Sequence, residues 1–132
     1  MILGLAGLNG AGKGEVVRFL EARSFYAHSL SDVIRDELRE KGVEETRERM
    51  IDAGNAIREA RGPGGLAHAL ADRLLPDRNY VVDSVRHPAE VEVLRSQTTS
   101  FRLIWVTADE SVRLERLRSR GRGGDPETLE EL

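Results

Sequence analysis

The sequence of 132 residues contains no cysteine, and it has one tryptophan, two tyrosines and three phenylalanines. The missing cysteines exclude disulfide bonds and thiolate metal sites. No apolar run approaches the length of about 20 residues that a membrane-spanning helix needs, so we expect no membrane partner. The net charge of -3 argues against a dedicated nucleic-acid binder. These absences leave a cytoplasmic enzyme domain, covering residues 1–132, as the expectation.

The most informative motif follows an apolar run at the start of the chain. Residues 7–14 read G-x-x-x-x-G-K-G and lie between a predicted strand and a predicted helix. Glycines let backbone N–H groups close around a polyphosphate, and a helix N-terminus favours negative charge. The motif therefore predicts a phosphate-binding loop. Its candidate nucleotide-binding residues are Asn9, Gly10, Ala11, Gly12, Lys13, Gly14 and Glu15.

Gly14 departs from the usual pattern, because a serine or threonine commonly follows the lysine of such a loop. The hydroxyl that normally binds Mg²⁺ is therefore absent at this position. We expect the metal to be held through water or by another side chain.

Predicted strands and helices alternate along the chain. The predicted strands cover residues 2–6, 25–29, 79–84 and 101–106. The predicted helices cover residues 14–23, 32–41, 46–60, 66–75, 88–96 and 109–118. This alternation predicts an α/β fold with a parallel sheet, in which ligands bind beyond the carboxyl ends of the strands. Trp105, inside the fourth predicted strand, is expected in the core.

Several charged residues fall just after predicted strands. Asp83 ends the third strand, where a Mg²⁺–water shell needs an anchor, although it could also cap the next helix. Arg86 could bind a substrate phosphate with two hydrogen bonds, or it could form a surface salt bridge. Asp32 and Arg35 lie three residues apart, on one side of a predicted helix start. They could form a phosphate clamp for a second substrate, or they could be a helix cap and a solvated arginine. Arg58 is a weaker candidate that could equally be an exposed charge at a helix C-terminus.

Four arginines lie within residues 116–122. On a helix, Arg116 and Arg120 share a face because they are four residues apart. Arginines on a glycine-bearing segment suit a lid, at about residues 115–126, that closes over a transferring phosphoryl group. The alternatives are a solvated basic face and a nucleic-acid patch.

Together these motifs resemble the adenylate-kinase-like nucleotide kinases, which have a three-layer P-loop NTPase fold. The resemblance is closest to the adenylate-kinase-related, or dephospho-CoA-kinase-like, branch. It rests on GKGE at residues 12–15, DVIR at 32–35, EVEVLR at 90–95 and RGRGGDP at 120–126. The resemblance implies ATP and Mg²⁺ as cofactors and a nucleotide acceptor held by helices within residues 31–75. It also implies catalytic roles for Lys13, Arg86, Arg116 and Arg120, and acceptor contacts from Asp32, Arg35, Arg58 and Arg86.

The expected activity is phosphoryl transfer from ATP to an acceptor that resembles a nucleoside monophosphate. The alternatives are a dephospho-CoA kinase-like activity and a non-catalytic nucleotide-sensing domain of a larger, deaminase-fused protein. The family fold continues past the lid into a further strand and helix, which we expect to be missing from this sequence. The fourth strand would then be an exposed edge, available for pairing with a second copy in a homodimer.

Overall fold

The computed structural model describes residues 1–8 and 10–120, without the side chain of Arg120. Asn9 and residues 121–132, which include the end of the predicted lid, lie outside this description. The strands are β1 (Ile2–Ala6), β2 (Tyr26–Ser29), β3 (Tyr80–Asp83) and β4 (Phe101–Trp105). The helices are α1 (Lys13–Glu21), α2 (Leu30–Glu40), α3 (Arg47–Arg61), α4 (Gly65–Ala71), α5 (Pro88–Ser96) and α6 (Glu110–Arg120).

These elements match the predicted ones in type and order. The largest difference is at the end of α4, which stops at Ala71 rather than at residue 75. Helix α2 begins at Leu30, two residues before its predicted start at residue 32. Its cap is Ser29, whose hydroxyl accepts the N–H of Ser31 at 3.3 Å.

The four strands form one parallel sheet in the order β2-β3-β1-β4. Ile2 of β1 is in register with Tyr80 of β3 and with Phe101 of β4, while Tyr26 of β2 also aligns with Tyr80. All strands therefore point the same way, and their carboxyl ends meet at one edge. The loops after β1, β2, β3 and β4 converge there, as the predicted α/β fold requires.

The hydrophobic core lies between the sheet and helices α2, α4 and α5. Parallel strands are covered on their faces, which explains their continuous apolar runs. Val81 and Val82 of β3 are fully buried. The helices contribute the buried side chains Leu30, Ile34, Leu66, Leu70, Val93 and Leu94. Within the described part of the chain, the helices are too short or too polar to reach across a bilayer.

Strand β4 is one of the two edge strands of the described sheet and pairs with β1, while β2 is the other. The expectation that Trp105 is a core residue was wrong, because its side chain is 63% exposed, and Leu103 beside it is 46% exposed. An apolar strand sequence does not reveal whether the strand is central or at an edge. Pairing of this edge with a second copy stays a prediction.

Candidate functional site

The loop between β1 and α1 contains three glycines in a left-handed conformation. Their φ angles are +146° for Gly7, +78° for Gly10 and +108° for Gly12. A Cβ atom at Gly7 would collide with the carbonyl oxygen of Val106, and one at Gly10 would lie 2.5 Å from that of Arg113. The loop backbone therefore packs directly against the segment after β4 and against α6. No side chain fits at these two points.

Lys13 begins α1 and turns its side chain back into this loop. Its ammonium donates to the carbonyl of Gly7 at 2.7 Å and lies 3.4 Å from that of Leu8, with only 9% of the residue exposed. Gly12, at the N-cap, has no side chain to cap the first amides of α1. The first N–H groups of a helix have no acceptor four residues earlier within the helix; here the N–H of Glu15 donates to the Gly12 carbonyl at 3.1 Å instead. A buried ammonium beside a helix N-terminus suits the negative charge of a polyphosphate.

The unusual residues after Lys13 face away from the loop. A Cβ at Gly14 would meet nothing nearer than the Arg18 guanidinium, at 3.9 Å. The Glu15 side chain is 78% exposed and forms an ion pair with Arg18. The structure thus places the Glu15 carboxylate on the outer surface of α1, whereas its amide belongs to the first helical turn.

Asp83 occupies the carboxyl end of β3, the strand that pairs with β1. Its Oδ1 accepts the N–H of Ser84 at 2.6 Å. Among the described residues, no cluster of three or more His, Asp or Glu side chains could enclose a metal ion. A single carboxylate fits Mg²⁺, which keeps several waters and is completed by substrate phosphates.

Helix α6 brings one of the predicted lid arginines onto the loop. Arg116 Nη1 donates to the carbonyl of Gly10 at 3.0 Å and would lie 3.3 Å from a Cβ at Gly12. The structure therefore places Arg116 with Lys13 around the same loop. Sequence reasoning missed Arg113, which is buried within α6 and packs its backbone on Gly10. Its position about one helical turn before Arg116 is the signal from which it could have been found.

Asp32 and Arg35 lie together at the start of α2, as their spacing predicts. Arg35 Nη1 lies 3.2 Å from Asp32 Oδ1 and 2.9 Å from the hydroxyl of Ser31. The sequence did not predict Glu45, whose carboxylate accepts from Arg35 Nε at 2.7 Å. Burial lowers the pKa of Arg35, but the hydrogen bond and charge of Glu45, followed by those of Asp32, outweigh burial and raise it overall. The Arg35 guanidinium is therefore a fixed cation.

Three serine hydroxyls connect the ends of β2 and β3. Ser29 Oγ lies 2.8 Å from Ser31 Oγ and 3.1 Å from Ser84 Oγ, and the last two are 3.3 Å apart. Ser84 has a positive φ of 66°. This hydroxyl cluster lies beside Arg35 and was not predicted, because Ser84 is more than 50 residues away from Ser29 and Ser31 in the sequence.

Arg58 and Arg86 are both connected to Glu90 of α5. The backbone N–H of Arg86 donates to Glu90 Oε1 at 2.8 Å, and Arg58 forms an ion pair with the same carboxylate at 3.6 Å. The alternative that Arg58 is merely an exposed charge was wrong, because its side chain is only 27% exposed. The helix cap of α5 is His87, and not Asp83.

Comparisons with known proteins identify the family. The family model AAA_18, described as an AAA domain, matches residues 3–130. A UPF0200 protein of Pyrococcus abyssi is 34% identical over 138 residues, which cover all of this chain and 74% of that protein. The chain belongs to the UPF0200 family of P-loop kinase-like AAA domains. UPF0200 proteins of Pyrococcus horikoshii and Aeropyrum pernix are 36% and 38% identical, with 74% and 70% of their lengths covered.

Solved structures share the fold of this UPF0200 chain. A protein of Chloroflexus aurantiacus provisionally assigned as a kinase has a TM-score of 0.67 and 19% identity, over 98% of this chain and 74% of its own. A gluconokinase of Sinorhizobium meliloti has a TM-score of 0.55 and 19% identity, over 96% and 69%. At this identity the likeness shows the fold alone. It confirms the P-loop kinase-like architecture, while the adenylate-kinase-like branch stays a prediction.

The packing of the loop predicts different outcomes for two glycine-to-alanine substitutions. Gly10→Ala forces a side chain into a left-handed position against the Arg113 carbonyl, so we expect a loss of about 1–3 kcal/mol in unfolding free energy. The matched control, Gly14→Ala, adds a methyl group to open space in a helix and should gain about 0.5–1 kcal/mol. Urea denaturation followed by circular dichroism measures both. Equal stabilities of the two variants would contradict the packing described.

Proposed function

We propose that the protein is a nucleotide kinase that transfers the γ-phosphoryl group of ATP to an acceptor resembling a nucleoside monophosphate. The observation that carries the proposal is the meeting of Lys13 and Arg116 on one glycine-rich loop. Arg35 lies after β2 and Asp83 at the end of β3, at the same edge of the sheet. The P-loop kinase-like family supports a phosphotransferase, and the acceptor class is our inference.

In this proposal the donor phosphates bind to the loop amides and to Lys13. The ammonium leaves the carbonyls of Gly7 and Leu8, which it now contacts, and turns to the phosphate oxygens. Mg²⁺ held through water at Asp83 would supply further neutralisation of the phosphate charge. Arg116, already on the loop, compensates the charge that develops during transfer. An acceptor phosphate oxygen forms the new bond to the γ-phosphorus as the bond to ADP breaks, without a covalent enzyme intermediate.

The acceptor side is inferred from fixed arginines beyond β2 and β3. Arg35 is held by Glu45 and Asp32, so its orientation is set before a ligand arrives. A preorganised guanidinium binds phosphate oxygens at little entropic cost. The resemblance to adenylate-kinase-like proteins supports a nucleotide phosphate as the ligand. The assays below also test the two alternatives, which are dephospho-CoA as the acceptor and nucleotide sensing without catalysis.

Lys13→Ala should abolish phosphoryl transfer, because the donor phosphates lose their buried cation. We expect activity to fall by about 100-fold or more. The assay follows labelled γ-phosphate from ATP onto AMP, CMP, GMP, UMP or dephospho-CoA by chromatography. Lys41→Ala is the matched control, because its side chain is 63% exposed and the residue lies just after the C-terminal end of α2. Unchanged turnover of the Lys13 variant would contradict the proposal. ATP binding by calorimetry without any product would favour the sensing alternative.

Arg35→Gln should act on the acceptor alone. Losing one charge-assisted contact to a phosphate corresponds to a rise of about 10- to 100-fold in the KM for the acceptor. The KM for ATP should stay the same, since the loop lies after β1 and not after β2. Arg39→Gln, which removes an exposed guanidinium one turn later on α2, is the control. Equal effects of the two variants in steady-state kinetics would remove Arg35 from the acceptor site.

A further inference from the structure

Glu90 is a carboxylate with none of its surface exposed, in the first turn of α5. Its Oε1 accepts two backbone N–H groups, from Arg86 at 2.8 Å and from His87 at 2.9 Å. The contact with His87 is one half of a capping box, because the His87 side chain accepts the N–H of Ala89 in return. The contact with Arg86 goes further, since it fixes the loop between β3 and α5.

The second oxygen of Glu90 faces another helix. Its Oε2 lies 3.6 Å from Arg58 Nη2 of α3, and it has no hydrogen-bond partner within the described residues. A buried carboxylate is costly unless it is paired, and a capping box requires only its contact with the N-cap amide. The complete burial of Glu90 therefore indicates a role besides capping.

The packing around Glu90 holds its partners in place. A Cβ at Gly64 would lie 3.0 Å from Val93 Cγ2 and 3.2 Å from the carbonyl of Ala89, so the start of α4 lies directly on the first turn of α5. A Cβ at Gly65 would lie 2.8 Å from Arg61 Cβ, which brings α3 equally close. These contacts hold the start of α4 against both the first turn of α5, which carries Glu90, and the end of α3.

We propose that Glu90 is a positioning residue for the acceptor site of the proposed kinase. It fixes the backbone at Arg86 and orients the Arg58 guanidinium, so that both arginines face one bound phosphate. A guanidinium has five N–H donors, and an ion pair at 3.6 Å without a hydrogen bond leaves donors for a ligand. The inference rests on the proposed function and deepens it, because the affinity for the acceptor would then depend on the buried carboxylate of Glu90.

The test compares Glu90→Gln with Glu92→Gln in the full chain. Glu92 lies two residues later on α5, is 71% exposed and pairs with Arg95. AMP, CMP, GMP and UMP are each titrated by calorimetry, and ATP is titrated separately. Glu90→Gln should weaken monophosphate binding about tenfold while the Kd for ATP changes by less than about twofold. Glu92→Gln should leave both unchanged.

A double-mutant cycle separates positioning from a merely structural role. Because Glu90 acts through Arg58, its substitution should have a smaller effect on monophosphate binding in an Arg58→Gln background. Arg58→Gln alone should weaken monophosphate binding and spare ATP. This single variant tests the same connection if Glu90→Gln does not fold.

The outcomes are distinguishable. Monophosphate binding that is unchanged in Glu90→Gln, or weakened equally with ATP binding, overturns the inference and leaves the proposed function standing. A wild-type protein that binds ATP but none of the monophosphates overturns the proposed acceptor class and the role of Glu90 with it. Selective weakening with coupling to Arg58 supports both.

Discussion

The backbone of the loop after β1 lies so close to the segment after β4 that side chains at Gly7 and Gly10 are excluded. This close approach fixes the loop conformation at two points, against Val106 and against Arg113. The left-handed glycines allow the chain to turn. Helix α6 packs against this turn, which brings Arg116 to the carbonyl of Gly10. The same turn leads directly into α1, so that Lys13 and the first amides of the helix both lie at the loop. The proposed donor site therefore follows from backbone packing more than from any single side chain.

The strand order extends this constraint to the other half of the site. Since β1 lies between β3 and β4, Asp83 comes next to the loop, and β2 places Arg35 one strand further out. Two arginines on that side have carboxylate partners: Glu45 and Asp32 for Arg35, and Glu90 for Arg58. These partners lower the cost of holding like charges together and fix the direction of each guanidinium. The result is an edge on which the guanidinium donors of Arg35 and Arg58 are oriented before a ligand binds.

The elements, their order and the phosphate loop could be predicted because their signals are local. Glycine spacing, apolar runs and helix caps act over a few residues, and the pair of Asp32 and Arg35 follows from helical spacing. The contacts that complete the site could not be predicted, because they join distant parts of the chain. Glu45, the serine cluster and the pairing of Arg58 with Glu90 depend on which helices pack together. Trp105 was assigned to the core because an apolar strand has the same composition at an edge as in the centre of a sheet.

The most direct test of the central claim is a titration of the intact chain with ATP and Mg²⁺, followed by backbone amide resonances in nitrogen-15 spectra. We expect the largest shifts at Gly10, Gly12 and Lys13, because their N–H groups surround the proposed phosphate site. Saturation with these shifts would establish the carboxyl edge of the sheet as the nucleotide site. Shifts confined to the cleft at the opposite edge, lined by Met1, Leu75 and Tyr80, or no shifts at all, would contradict the account.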